Sequence, residues 1–310
     1  KGRMTEEQVN KVLEKYKPST DFDDLKDVDM VIEAVFEELE VKQEVFKTLD
    51  KIVKPGAVMA SNTSYLNIDK IAAVTSRPED VLGLHFFSPA NIMKLLEIVI
   101  PTKVKADVVN TGLTLAKKMR KVPVRAGNCD GFIGNRILSK YGKVVAYMME
   151  DGASPYEIDK AIFKFGLPMG IFQMFDLAGL DIGWANRKRQ AATRDPRERY
   201  VHILDLLCEK GHYGQKTGRG FYIYQEGSRR GEEDPEVLTL IDEERKRKGI
   251  TTRSFSEEEI MNRYIAAMVN ESCNVLHEGM ASRPSDIDIT LLYGYGFPRY
   301  RGGPMKYADQ

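Results

Sequence analysis

The chain has 310 residues, enough for more than one domain, and 42% of them are hydrophobic, which is ample for buried cores. Its 46 basic and 46 acidic residues give a net charge of zero, so the composition does not indicate binding to nucleic acid or to an anionic membrane. Three widely separated cysteines without a C-x-x-C pattern argue against a disulfide framework or a cysteine metal cluster.

The amino end predicts an amphipathic helix from Thr5 to Tyr16, with Thr5 as the N-cap and Gln8 in the capping-box position. Only four residues precede this helix, and we therefore expect the chain to begin inside a domain. No apolar run approaches the roughly 18 residues of a membrane span, and the first residues lack a secretory apolar segment. The default expectation is a reducing, intracellular compartment.

Strand-like and helical patterns alternate from residue 20 to about 128, which predicts a parallel α/β sheet. The predicted strands cover 28–35, 57–60, 81–84, 95–100 and 122–125, and the predicted helices cover 41–53 and 105–119. Helical patterns follow at 132–151, 155–165 and 169–197, then a glycine-rich loop at 211–220, a strand at 221–224 and a polar linker at 227–235. The charge run at 243–248 is interpreted as a solvated helix face.

The helical part contains a diverged tandem repeat. Asn135-Arg136, the acidic pair ending at Asp159 and a Gly-Leu-Pro-Met-Gly segment recur as Asn262-Arg263, the acidic pair ending at Asp288 and related glycines and prolines. The alternative is a chance likeness between two amphipathic helices. The expected domains are 1–126, 127–226, a linker at 227–255, and a second repeat-related domain at 256–310.

One of only four histidines, His85, follows the predicted strand 81–84, and Glu97 follows twelve residues later at another apolar run. Open α/β sheets keep their chemistry at strand ends. An unpaired polar group buried in such a run costs several kcal/mol, so each residue needs a partner. A His-Glu pair satisfies both, although Glu97 taken alone would more commonly be a surface carboxylate.

Five motifs in order resemble the 3-hydroxyacyl-CoA dehydrogenases of fatty-acid β-oxidation over essentially the whole chain. They are Val31 to Glu37, Ser61-Asn62-Thr63-Ser64, His85 to Pro89, Glu97, and Gly131 to Arg136. The second repeat copy resembles the dehydrogenase part of the multifunctional enzymes, whose two carboxy-terminal domains replace a dimer contact. The resemblance implies an incomplete, doubly wound Rossmann-type sheet followed by two tandem, mostly α-helical domains.

The resemblance implies oxidation of the C3 hydroxyl of an L-3-hydroxyacyl-CoA by hydride transfer to NAD. Imidazole, with an unperturbed pKa near ~6.5, suits the proton transfer, and His85 is expected to be the base. By analogy with the family, Glu97 accepts a hydrogen bond from the other ring nitrogen. Ser64 and Asn135 match the polar positions beside the reacting carbon, although Ser64 could be a turn residue and Asn135 a first-turn helix residue.

For the cofactor, Glu37 and Lys42 match family positions near the nicotinamide-side ribose, and Asn62 matches one near the nicotinamide. Glu37 and Lys42 could equally be a solvated pair at a helix start. The glycine-rich turn and the following acid of a dinucleotide site are not found upstream of Val28. We therefore expect the first βαβ unit to lie elsewhere in a longer polypeptide, and residues 1–310 alone to bind NAD poorly and be inactive.

The same resemblance implies an enoyl-CoA hydratase/isomerase module on that polypeptide, an acyl-CoA substrate, no resident metal, and a bacterial cytoplasmic location with the peroxisome as the alternative. Ser88 stands where many single-domain relatives have asparagine, which leaves substrate contacts open. Two other hypotheses remain: a non-catalytic crystallin-like or acyl-CoA-binding relative, and a β-hydroxy acid dehydrogenase. The latter would place a lysine, not a His-Glu pair, at the reacting carbon.

Overall fold

A computed structural model describes residues 4–228 and 231–310. Residues 1–3, at the start of the predicted first domain, and residues 229–230, in the predicted linker, lie outside the described part. The chain divides into two compact units, one ending at Phe132 and the other beginning at Ile133. The finer division of the second unit into two domains stays a prediction.

The first unit contains the alternating elements that the sequence predicts. In chain order they are α1 (Glu6–Leu13), β1 (Met30–Glu33), α2 (Leu39–Ile52), β2 (Val58–Ser61), α3 (Ile68–Ala72), β3 (Val81–Phe86), β4 (Leu95–Ile100), α4 (Ala106–Lys118) and β5 (Val122–Gly127). Thr5 and Gln8 form the predicted capping box of α1. The short helix α3, capped by Asn67, was not predicted.

Within the described residues the strands form one sheet of order β1-β2-β3-β4-β5. The prediction of parallel pairing is confirmed for β1-β2, β2-β3 and β4-β5 and is wrong for β3-β4, which is antiparallel. Residues 87–94 are too few for the crossover that a parallel pair requires, so the chain turns back directly. The antiparallel pair sets the register of the two polar residues singled out above.

One face of this sheet packs on α4. Leu82 and Leu84 of β3, Leu96 and Ile98 of β4, and Val108 of α4 belong to one buried cluster. Each such side chain contributes roughly 1.5–3 kcal/mol when fully buried. Because side chains alternate along a strand, the residues between these leucines point to the opposite face.

The second unit is mostly helical. Its elements are α5 (Gly134–Asp151), α6 (Pro155–Phe165), α7 (Ile171–Ala178), α8 (Leu180–Gln190), α9 (Ile203–Glu209), β6 (Tyr222–Tyr224), β7 (Gly231–Glu233), α10 (Pro235–Arg247), α11 (Glu257–His277), α12 (Pro284–Gly294) and α13 (Pro304–Ala308). Strands β6 and β7 pair antiparallel. The predicted linker 227–255 therefore contains regular structure, namely β7 and α10.

The charge run in α10 is only partly solvated. The Glu244 side chain is 3% exposed and pairs with Arg247, and Lys248 pairs with the fully buried Glu150. Arg199 also contacts Glu150, at 2.5 Å. A buried carboxylate requires such partners, because an isolated buried charge is costly. The interpretation as a purely solvated face is therefore wrong.

The tandem repeat is visible in two equivalent helix caps. Asp159 of α6 accepts the backbone N–H of Phe172, at the start of α7, at 2.9 Å. Asp288 of α12 accepts the N–H of Met305, at the start of α13, at 2.7 Å. The preceding glycine in each copy has no room for a side chain, since an added Cβ would lie within 2.4 Å of the aspartate. The same local design occurs twice, as predicted.

Candidate active site

The central feature of the first unit is a buried histidine-carboxylate pair. His85 of β3 lies directly opposite Glu97 of β4 in the antiparallel register. The His85 Nδ1 and Glu97 Oε2 atoms are 2.6 Å apart, and the side chains are 4% and 0% exposed. The predicted strand 81–84 ended just before His85, but β3 extends to Phe86 and includes it, and Glu97 lies inside β4 at the bounds predicted for that strand. The predicted pairing itself is present.

This pair fixes the protonation pattern of the imidazole. An ionised carboxylate can only accept hydrogen bonds, so the Nδ1 atom of His85 carries the hydrogen that Glu97 accepts. In neutral imidazole the other nitrogen, Nε2, then has a free lone pair. His85 is thereby prepared to accept a proton through Nε2.

Two aromatic rings flank His85. The ring centroid of Phe87 lies 4.4 Å from that of His85, and Phe132 lies at 5.6 Å. Phe132 is fully buried and has a left-handed φ of 52°, a conformation that costs a non-glycine residue roughly 1–3 kcal/mol. Sequence reasoning gave neither phenylalanine a role. The available signal was their position in the motifs, Phe87 two residues after His85 and Phe132 directly after Gly131.

Glu37 organises the loop that follows β2. Its Oε1 atom accepts hydrogen bonds from the Thr63 hydroxyl at 2.6 Å and from the backbone N–H groups of Ser64 at 2.8 Å and Tyr65 at 3.1 Å. The structure thus brings Glu37 and Ser64 together. The Glu37 side chain is 40% exposed, so part of its carboxylate faces solvent.

Lys42 lies beneath Glu37 with a fully buried ammonium group. Its Nζ atom is 2.8 Å from Glu33, 3.7 Å from Glu37 and 3.2 Å from the Asn62 carbonyl. The alternative of a solvated pair is therefore wrong for Lys42. Sequence reasoning assigned no role to Glu33, although an acid inside a predicted apolar strand was the signal that it has a partner.

Asn62 joins the ends of β2 and β3. Its Oδ1 atom accepts the backbone N–H of Phe86, the residue after His85, at 3.2 Å. Because a backbone N–H can only donate, this bond fixes the amide orientation and directs the NH₂ group of Asn62 away from Phe86. The loop after β2 therefore presents the amide NH₂ of Asn62 as a hydrogen-bond donor, two residues before Ser64.

Asn135 belongs to the second unit, in the first turn of α5. Its Oδ1 atom accepts a hydrogen bond from the hydroxyl of Tyr295 at 2.7 Å.

Among the residues that the structure describes, no cluster of His, Cys, Asp and Glu could hold a metal ion. No helix in the same residues is both long and apolar enough to cross a bilayer.

Sequence profiles of one family match the first unit and the first part of the second. The profile described as the 3-hydroxyacyl-CoA dehydrogenase NAD binding domain matches residues 1–129, and the C-terminal domain of the same family matches 131–224. The peroxisomal bifunctional enzyme of Danio rerio is 45% identical over 97% of this chain. The glyoxysomal fatty acid beta-oxidation multifunctional protein of Brassica napus is 40% identical over 100%. The chain covers only 44% and 43% of these two relatives.

Solved structures show the same relationship. The 3-hydroxybutyryl-CoA dehydrogenase of Escherichia coli matches with a TM-score of 0.82 at 27% identity, covering 100% of this chain and 80% of that one. The dehydrogenase part of multifunctional enzyme 1 from C. elegans matches with a TM-score of 0.65 at 30% identity, covering 96% of this chain and 67% of that one. FadB2 of M. tuberculosis matches with a TM-score of 0.68 at 37% identity, covering 72% of this chain and 80% of that one.

Proposed function

Because the chain belongs to the 3-hydroxyacyl-CoA dehydrogenase family, we propose that it oxidises L-3-hydroxyacyl-CoA to 3-oxoacyl-CoA in fatty-acid β-oxidation, with NAD as the oxidant. The observation that carries the proposal is the buried His85-Glu97 pair, with Nδ1 and Oε2 at 2.6 Å. A protein that had only a structural role would not require a buried imidazole oriented in this way. This favours the enzyme over a non-catalytic crystallin-like relative.

In this mechanism His85 is the general base. Its Nε2 atom takes the proton of the C3 hydroxyl as the C–H electron pair leaves C3 as hydride, so that the carbon-oxygen bond becomes a ketone. Glu97 keeps the hydrogen on Nδ1 and stabilises the imidazolium that forms. The buried position of both groups strengthens their interaction, because the local dielectric is low.

Asn135 and Ser64 are assigned positioning and electrostatic roles. The amide NH₂ of Asn135 donates to the oxygen on C3 as negative charge develops there. The Ser64 hydroxyl holds the substrate oxygen or the cofactor amide. Because Glu37 accepts the backbone N–H of Ser64, the same carboxylate also holds the main chain at Ser64 in place.

The residues at the strand ends fit the cofactor. One oxygen of Glu37 is occupied by three donors, and the second, 3.7 Å from Lys42, can accept a ribose hydroxyl. The NH₂ group of Asn62 suits a carboxamide oxygen. NAD, when bound, supplies the hydride acceptor. We propose that Lys42 supports this site through Glu37, since its ammonium is enclosed by protein acceptors.

The full-length protein is proposed to be a multifunctional enzyme of peroxisomal type with an enoyl-CoA hydratase/isomerase module. Support comes from the names of the relatives and from their lengths, of which the chain spans less than half. The exposed side chains Ile32, Val35 and Phe36 beside β1, with Phe36 81% exposed, suit coverage by further parts of the same polypeptide.

The test is NADH formation by the full-length protein. L-3-hydroxyacyl-CoA should give NADH, and the D enantiomer serves as the matched control and should give none at the same concentration. A full-length protein that binds NAD yet forms no NADH from L-3-hydroxyacyl-CoA of any chain length would refute the proposed activity. Immunolocalisation of the full-length protein outside peroxisomes would refute the location.

A further inference from the structure

We propose that Tyr295, in the second copy of the helical repeat, is a positioning residue that fixes the orientation of the Asn135 amide for hydrogen-bond donation to the substrate. The inference rests on the proposed function, in which Asn135 donates to the oxygen on C3. The family profile for the C-terminal domain ends at residue 224, and Tyr295 lies beyond it. The second copy would thereby contribute to the reaction as well as to the fold.

The hydrogen bond determines which way the Asn135 amide is turned. The Tyr295 hydroxyl donates to Asn135 Oδ1 at 2.7 Å. With its carbonyl oxygen held by this donor, the Asn135 side chain must direct its NH₂ group elsewhere. Loss of the hydroxyl removes the donor that favours this orientation over the one rotated by half a turn, which would present an acceptor where a donor is required.

The approach of the tyrosine ring to α5 depends on a second position. A Cβ atom added at Gly134 would lie 2.6 Å from Cε2 and 2.7 Å from the hydroxyl of Tyr295. Any residue other than glycine would therefore displace the ring. Gly134 directly precedes Asn135, and its missing side chain leaves room for the Tyr295 ring beside the amide that the ring's hydroxyl contacts.

The same turn of α5 is held by α11 of the second copy and by Glu278, which directly follows α11. Arg136 Nε is 2.6 Å from Glu271, and its two terminal nitrogens reach Glu278 at 2.7 Å and 2.8 Å. Glu271 is buried, and the two-point contact with the half-exposed Glu278 fixes the guanidinium in both position and direction. Positions 134, 135 and 136 thus each have a neighbour in the second copy.

Comparison of the two copies singles out Tyr295. Helices α6 and α12 both have eleven residues, and Gly166 follows α6 directly. In the second copy Tyr295 is inserted between α12 and Gly296. The first copy therefore has no residue equivalent to Tyr295. The insertion carries the hydroxyl that orients Asn135.

The experiment is steady-state kinetics of Tyr295→Phe in the full-length protein. This change keeps the ring and removes only the hydroxyl. We expect kcat to fall roughly 10-fold, with KM for NAD and for the acyl-CoA within about twofold of wild type, because donation to the reacting oxygen is impaired. The matched control is Tyr300→Phe, whose lost hydroxyl bonds the carbonyl of Phe165. It should leave kcat unchanged.

A double-mutant cycle separates positioning from a structural role. In an Asn135→Ala background, Tyr295→Phe should have no further effect on kcat, whereas a merely structural role would add its loss. Gly134→Ala, which displaces the ring but keeps the hydroxyl, should reproduce the fall in kcat. It provides a second route if Tyr295→Phe folds poorly.

The outcomes distinguish this inference from the proposed function. If wild type oxidises L-3-hydroxyacyl-CoA and the folded Tyr295→Phe variant keeps kcat within twofold, the positioning role is refuted and the proposed function stands. An additive loss in the double mutant also refutes it. If wild type forms no NADH, the proposed function and this inference both fail.

Discussion

Glu97 Oε2 lies 2.6 Å from His85 Nδ1 across an antiparallel strand pair, in a register that places the two residues directly opposite. The carboxylate determines which nitrogen of the ring carries hydrogen. Replacement of Glu97 by glutamine would leave the shape almost unchanged. An amide can donate to Nδ1, however, and would then stabilise the tautomer with hydrogen on Nε2.

Glu97→Gln should therefore lower kcat by roughly 1,000-fold or more, the scale reported for a wrongly oriented base. The measurement is NADH formation by the full-length protein at saturating substrate. Glu97→Asp, which keeps the charge, is the control and should lose much less. A Glu97→Gln enzyme within tenfold of wild type would show that the carboxylate does not set the tautomer.

Loss of one partner of the buried Glu33-Lys42 pair should destabilise the protein much more than loss of both, because a single loss leaves an unpaired buried charge. Lys42→Met leaves the buried Glu33 without its cation and should lower the free energy of unfolding by roughly 3–5 kcal/mol. The double change Glu33→Gln/Lys42→Met removes both charges and should recover much of that loss. Urea unfolding measures both variants.

Lys54→Met provides the matched control for this pair. Lys54 contacts the exposed Asp29 at 2.7 Å, and surface pairs of this kind contribute little. The variant should unfold at nearly the wild-type urea concentration. Equal losses for Lys42→Met and Lys54→Met would contradict the role assigned to burial.

The stability of the second unit should fall as pH rises from 5 to 8. Burial raises the pKa of Asp159 to about 7 and that of Asp176 to about 6. A carboxyl with a raised pKa in the folded state stabilises the fold below its unfolded pKa, and this contribution is lost as pH rises through the folded value. The Asp159 contribution over this range is on the order of 3 kcal/mol.

Asp159→Asn should flatten this pH dependence, because asparagine does not titrate. The comparison is the difference in unfolding free energy between pH 5 and pH 8 for the variant and for wild type. Burial lowers the pKa of His212, which acts in the opposite direction in both proteins and cancels in the comparison. An unchanged pH slope would show that Asp159 is already ionised at pH 5.

Much of the fold could be predicted from periodicity and capping signals. The capping box at Thr5 and the pairing of His85 with Glu97 were both predicted and are present. The direction of β4 was predicted wrongly, because the alternating pattern was taken to imply parallel strands throughout, although the short segment between β3 and β4 leaves no room for a parallel crossover. Only the end of helix α10, within the charge run 243–248, was predicted as helical, and its beginning was missed because it was assigned to a polar linker.

The candidate site was predicted less completely, because its supporting contacts depend on burial. In the sequence Lys42 resembles an ordinary solvated lysine in the first turn of a helix. Only the fold shows that its ammonium group is enclosed between Glu33 and the Asn62 carbonyl. Tyr295 is 160 residues from Asn135, and no local pattern connects them. Contacts over such separations follow from the tertiary arrangement, which single-sequence patterns do not encode.

The most direct test of the central claim is the NADH production rate of full-length His85→Gln with L-3-hydroxyacyl-CoA. Glutamine keeps a polar side chain but cannot accept the hydroxyl proton at neutral pH. The account predicts a fall in kcat of roughly 100-fold or more, the range for removal of a general base. A folded His85→Gln enzyme with kcat within threefold of wild type would contradict it.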